Sequence, residues 1–184
     1  MQVSEAQHKF VGEIVELVAG LSGDEREIHP ETAAASAARL AGSFMFRSFD
    51  LELAGIEPGT LILSKEADEK APHLVEIMAA ALKMFDDRID TTKLGGQHRM
   101  MGEEPKLEIA QSLMALQYDA MLKAQSHGLN PVQAAEAAAI ATAYVVKECI
   151  ANIGIDVGFN VAAAGFVEGC KTVPPELRPP TAQH

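Results

Sequence analysis

Glu148, Asn152, Asp156 and Asn160 stand four apart in the least polar part of this chain, and their types and spacing come nearest to a site. A step of four advances about 40° around an α-helix, so on one continuous helix the set sweeps a sector of about 120°. Turned to water, the four make an ordinary solvated face. Val145, Phe159, Ala163 and Phe166 fall in the same sector, however, and an exposed face does not ordinarily mix two phenylalanines among its polar groups. A buried carboxylate at Glu148 or Asp156 needs a cation, a partner or a raised pKa, and each of these marks a ligand site. Should the helix break near Gly154, the two carboxylates lie on separate segments that can fold towards each other.

A second ligand-binding candidate lies in the stretch from Thr91 to Glu104, where helical periodicity vanishes. His98 and Arg99 offer an anion site, with Met100 and Met101 beside them to cover an apolar ligand. Connections beyond about 12 residues without structure of their own are either functional or disordered, so a plain connecting loop is the competing reading. His73 and Glu76 stand three apart, but in the reverse order of the Glu-x-x-His pair of di-iron bundles and with no second pair to match. No metal site is expected, and no cofactor is indicated. Cys149 and Cys170 lack Cys-x-x-Cys spacing and read as buried, reduced thiols. The chain has no Gly-x-Ser-x-Gly elbow, no phosphate loop and no His-Glu-x-x-His.

The elements that must position these residues read as helices throughout. Asn130-Pro131 is a cap followed by proline at the first helical position, and it opens a nearly uncharged stretch reaching Gly169. Small residues recur through it every three or four positions: Ala134, Ala138 and Ala141, then Gly154, Gly158 and Ala162, then Gly165 and Gly169. Such a face admits a second backbone closely. Glycines 154 and 158 each cost about 1 kcal/mol in a helix interior, which favours two helices meeting near Gly154. Upstream, Ser4 to Gln7 spells a capping box, and Phe10, Ile14 and Val18 fall on one stripe of a first helix. Pro30 opens a second helix, over Glu31 to about Leu53. Pro58-Gly59 suits a type II turn, with Leu61 to Leu63 as an apolar plug after it. Pro72 and Pro105 open the third and fourth helices, and His127-Gly128 closes the fourth. The expected fold is all-α, a single-domain bundle of five or six helices over residues 1–172, with an extended or disordered proline-bearing tail over 173–184.

Composition bounds the function. Fifteen Lys and Arg against 26 Asp and Glu leave a net charge of −11, which opposes binding to a phosphate backbone, so nucleic acid is not an expected partner. Lys147 and Glu148 interrupt the longest apolar run well short of the about 18 residues a membrane span needs. No secretory pattern is visible at the N-terminus, and the expected compartment is the cytoplasm. The reading that results is a non-catalytic helical protein acting through self-association or a protein partner, most simply as a homodimer, because small-residue faces allow close helix approach. A bundle enzyme, or a carrier of a small ligand or metal with its site between helices, is the alternative.

Overall fold

Several of the helices begin where a side chain accepts their free backbone N–H groups. A computed structural model describes residues 3–22, 29–95 and 102–177. In it Ser4 and Gln7 form a reciprocal capping box at the start of α1 (Glu5–Ala19), and Asn130 and Gln133 form another at α5 (Pro131–Ile153). The other helices are α2 (Pro30–Phe46), α3 (Lys65–Phe85), α4 (Ile109–Ser126) and α6 (Ile155–Lys171). Gly128, at φ 67°, ends α4 in a Schellman motif, with Leu129 N–H bonded to Ala124 and Gly128 N–H to Gln125. Gly154, at φ 77°, separates α5 from α6, so the long uncharged stretch is two helices. The described residues form an all-α bundle whose only β pairing is one isolated antiparallel bridge, Leu61 to Thr172.

Several boundaries differ from the sequence expectation, each for a local reason. The second helix stops at Phe46 rather than near Leu53. α3 begins at Lys65, because the Ser64 hydroxyl accepts the Ala67 N–H, and it carries Pro72 in its interior instead of at its start. α4 is capped by Glu108 and Gln111, several residues after Pro105. Pro58 and Gly59 do occupy the centre of a turn closed by Thr60 N–H to Glu57 C=O, with Gly59 at φ 86°. Leu61 and Leu63 are exposed rather than plugging the core. Their backbone stretch pairs instead with the end of α6: Ile62 N–H bonds Lys171, Val173 N–H bonds Thr60, and Gly59 N–H bonds Val173. Docking of the chain therefore continues past residue 172, and Gln117 Nε2 donates to the Pro175 carbonyl at 3.0 Å.

The centre of the bundle is α2 lying between α5 and α6. Nearly every residue of α2 is buried, and its alanines allow close approach on several sides. Gly165 rests against Ala35 and Ala38, whereas Gly169 rests against Arg39 and Gly42, so α2 and α6 run in the same direction. A β-carbon on Gly42 would stand 2.5 Å from the Phe166 carbonyl oxygen and 2.7 Å from the Cys170 nitrogen. The small-residue faces legible in the sequence are thus consumed inside one chain. Leu40, Met45, Leu74, Met78, Leu82, Phe10 and Phe166 are among the large side chains buried in the core.

Candidate functional site

A groove lies between α1 and α3 with α5 as its floor. α1 turns Phe10, Ile14 and Val18 into the core and leaves Val11, Gly12 and Val15 along one wall. α3 buries Leu74, Met78 and Leu82 and presents Ala81, Met84 and Phe85 on the other. Both helices pack on α5, yet they barely touch each other. The groove left between them holds about 480 Å³, and Ile140 and Tyr144 form its floor. Met84 is 74% exposed, and Phe85 and Tyr144 are each 39% exposed. Their rings meet edge to face at 6.0 Å, and Lys147 Nζ sits 5.6 Å from the Tyr144 ring centre.

At its other end the groove passes Val3 and Ile140 into a polar recess of about 370 Å³, lined by Gln7, His73, Glu76 and Glu136. Gln7 is buried there and donates through Nε2 to the Gln133 carbonyl at 3.3 Å and to Glu136 Oε2 at 3.4 Å. His73 Nε2 lies 3.5 Å from Glu136 Oε1. His73 therefore faces a carboxylate on another helix, while Glu76 lines the same recess. Among the described residues no group of three or more His, Cys, Asp or Glu is arranged to hold a metal, and no helix is long and apolar enough to cross a membrane.

The stripe from 148 to 160 does not form one face. Glu148, Asn152 and Asp156 are exposed and Asn160 is buried, because the turn at Gly154 starts α6 in a new direction. Val145 and Phe159, which made a buried stripe attractive, are themselves buried without drawing the three polar residues inwards. Glu148 accepts an ion pair from Lys147 at 3.0 Å. His98 and Arg99 lie outside the described residues. Cys149 and Cys170 are both free and buried. Burial pushes the Cys170 thiol up to about 12, and burial reinforced by Glu31 and Glu148 pushes Cys149 up to about 11. Neither is a ready nucleophile at neutral pH.

Sequence reasoning missed a polar seam on α2. Thr32, Ser36, Arg39, Ser43 and Arg47 follow one another at steps of four, three, four and four, the helical spacing of one face, hidden among alanines. Arg39 is 6% exposed. It is held by Glu168 at 2.6 Å, the Leu107 carbonyl at 2.6 Å and Ser112 Oγ at 3.1 Å. Ser36 donates to the same hydroxyl, Thr32 Oγ1 accepts the Lys106 N–H, and Arg47 donates to Gln117. Burial lowers the Arg47 pKa from its ordinary value. The seam's polar atoms are spent mainly on α4, α6 and residues 106–107, apart from Ser43 Oγ, which is buried with no partner among the described residues. This is the chemistry of a fixed interface between elements rather than of a reaction.

Compared with family models, with curated proteins and with solved structures, the chain finds no match in any of the three.

Proposed function

We propose that this protein works without catalysis, as a helical module that associates with another polypeptide through the groove between α1 and α3. The observation that carries the reading is the apolar character of that groove. Met84, Phe85 and Tyr144 are large, partly or mostly exposed and contiguous, and contiguous apolar surface rimmed by polar groups is the usual mark of an interaction site. In support, Arg39 and Arg47 of the α2 seam already have partners within the chain. Self-association belongs to this reading, but the faces of Gly165 and Gly169 are occupied by α2, so a second copy would have to use other surface.

One observation favours a second reading. A groove of about 480 Å³ falls in the range of small-molecule sites, roughly 300–1,000 Å³, which suits a carrier of an apolar ligand. Native mass spectrometry of protein isolated with its cellular partners separates the two. A polypeptide partner or a second copy, lost in the Met84→Glu/Phe85→Glu variant, is the expected result. A bound small molecule or metal at a whole-number ratio, with no polypeptide, would replace association by carriage.

A further inference from the structure

We infer that the occupant of the α1/α3 groove is an amphipathic helix of a partner protein, lying antiparallel to α1, α3 and α5 and ending in a basic residue that meets Glu76 and Glu136. This rests on the association reading above.

The geometry first sets a direction. Gln7 of α1, His73 and Glu76 of α3 and Glu136 of α5 line the polar recess, whereas Val11 and Val15, Met84 and Phe85, and Tyr144 line the apolar groove, which Glu16 borders as well. In all three helices the residue numbers rise from the polar end to the apolar end, so the three run the same way. From His73 to Phe85 is about 18 Å at 1.5 Å per residue, a little over three helical turns, and Gln7 to Val15 of α1 runs about 12 Å along the other wall. Two parallel helices that share a floor and barely touch leave the slot of one more helix. A helix of about 12 residues fills that length with anchors at i, i+4 and i+7, the usual pattern of helix-in-groove recognition.

Gly12 supplies an independent observation. It sits inside α1, where glycine costs about 1 kcal/mol relative to alanine. At Gly42, Gly165 and Gly169 such a cost is repaid by close backbone contact within the chain, but a β-carbon on Gly12 would meet nothing within 4 Å. Gly12 faces the open groove, so the chain's own packing does not need it. On α3, Ala81 lines the same groove and keeps the other wall shallow. Small residues on facing walls are what a closely approaching helix requires.

Charge gives the polarity. The recess holds two carboxylates, Glu76 and Glu136, against one imidazole, His73, and Glu136 already accepts from Gln7 and His73. A Lys or Arg there neutralises the surplus. An antiparallel occupant brings its C-terminal turn to this end, where a basic residue is also favoured by its own helix dipole. Its apolar stripe then covers Val11, Val15, Ile140, Met84 and Tyr144.

The test uses the full chain and three labelled synthetic peptides of about 14 residues, a length that spans the groove. One is an amphipathic helix with Arg in its last turn, one has Glu in that place, and one carries the Arg in its first turn. Fluorescence anisotropy should show the first binding about threefold to fivefold tighter than the other two, the scale of an exposed charge pair that is correctly placed. Gly12→Leu should abolish that binding while leaving thermal stability equal or higher, which shows that the fold survives. Glu76→Gln/Glu136→Gln should erase the preference for Arg over Glu. Equal binding of the three peptides, no binding of the first, or binding indifferent to Gly12→Leu would overturn the inference. A mass that doubles at micromolar protein and returns to that of one chain in Gly12→Leu would put a second copy in the groove, and would likewise overturn it. Association that persists in Gly12→Leu leaves the broader reading standing and removes only this occupant.

Discussion

A β-carbon at Gly42 meets backbone atoms of α6 at 2.5 to 2.8 Å, and backbone on a packed helix cannot swing aside as a side chain can. Gly42→Ala should therefore cost about 3 kcal/mol in urea unfolding, the upper range for overpacking a core. At Gly12 the same substitution meets open space and should stabilise by about 1 kcal/mol. Opposite signs from one chemical change separate a glycine needed for packing from one that is not. Ser43 makes a comparable case, because its buried hydroxyl has no partner among the described residues. Ser43→Ala should raise stability by about 1 kcal/mol, since it removes a desolvated group that gains nothing in return. The thiols add a pH dependence. Their ordinary value of 9.0 rises to about 11 for Cys149 and about 12 for Cys170 in the fold. Above pH 9 the unfolded chain ionises its thiols while the folded chain keeps them protonated, so their contribution is complete below pH 9 and is lost as pH rises towards 11 and 12. Denaturant titrations between pH 8 and 11 should show a shallower fall for Cys149→Ala/Cys170→Ala than for the parent.

The element scale turns on two joints. α3 runs through Pro72, which cannot donate to the Asp68 carbonyl four residues back and crowds the preceding turn. Pro72→Ala should stabilise α3 by about 2 to 3 kcal/mol, read from the denaturation midpoint, because the position is exposed and the helix continues through it. The sequence assigned Pro72 to a helix start because proline is common there, and the stronger local signal was Ser64, whose hydroxyl caps the true start. The other joint is the α2 seam, where Arg39 ties α2 to α6 through Glu168 and to residue 107 through its carbonyl. Arg39→Ala should cost about 2 kcal/mol, since it strands the Leu107 carbonyl and the Ser112 hydroxyl, whereas Glu168 can turn to water. Its 4-3-4-4 spacing was present in the sequence, but a polar stripe amid alanines reads equally as a solvated face. Only the arrival of Ser112, Leu107 and Glu168 from distant parts of the chain makes it an interior one.

For the whole molecule, the fold class was open to sequence reasoning because the signals that set it are local. Ser4 with Gln7, Asn130 with Gln133, Gly128 after α4 and the turn at Pro58-Gly59 each act within a few residues and are found where the sequence places them. The break at Gly154 is local too, and it dissolved the polar stripe by setting Asn160 inside while Glu148, Asn152 and Asp156 stay outside. Which faces are covered is not local. The small residues of α6 suggested a second copy, with packing inside one chain as the competing reading, and Gly165 and Gly169 are taken up by α2, about 130 residues away. The groove has the same origin. Val11 and Val15, Met84 and Phe85, and Tyr144 belong to three helices whose apolar residues each look like core in isolation, because hydrophobic periodicity counts apolar positions without stating what comes to cover them. The sequence by itself determined helices, caps and turns, where the energy is settled between near neighbours. Tertiary structure alone decided that α1 and α3 share α5 yet barely touch, because that depends on how six finished helices divide one core.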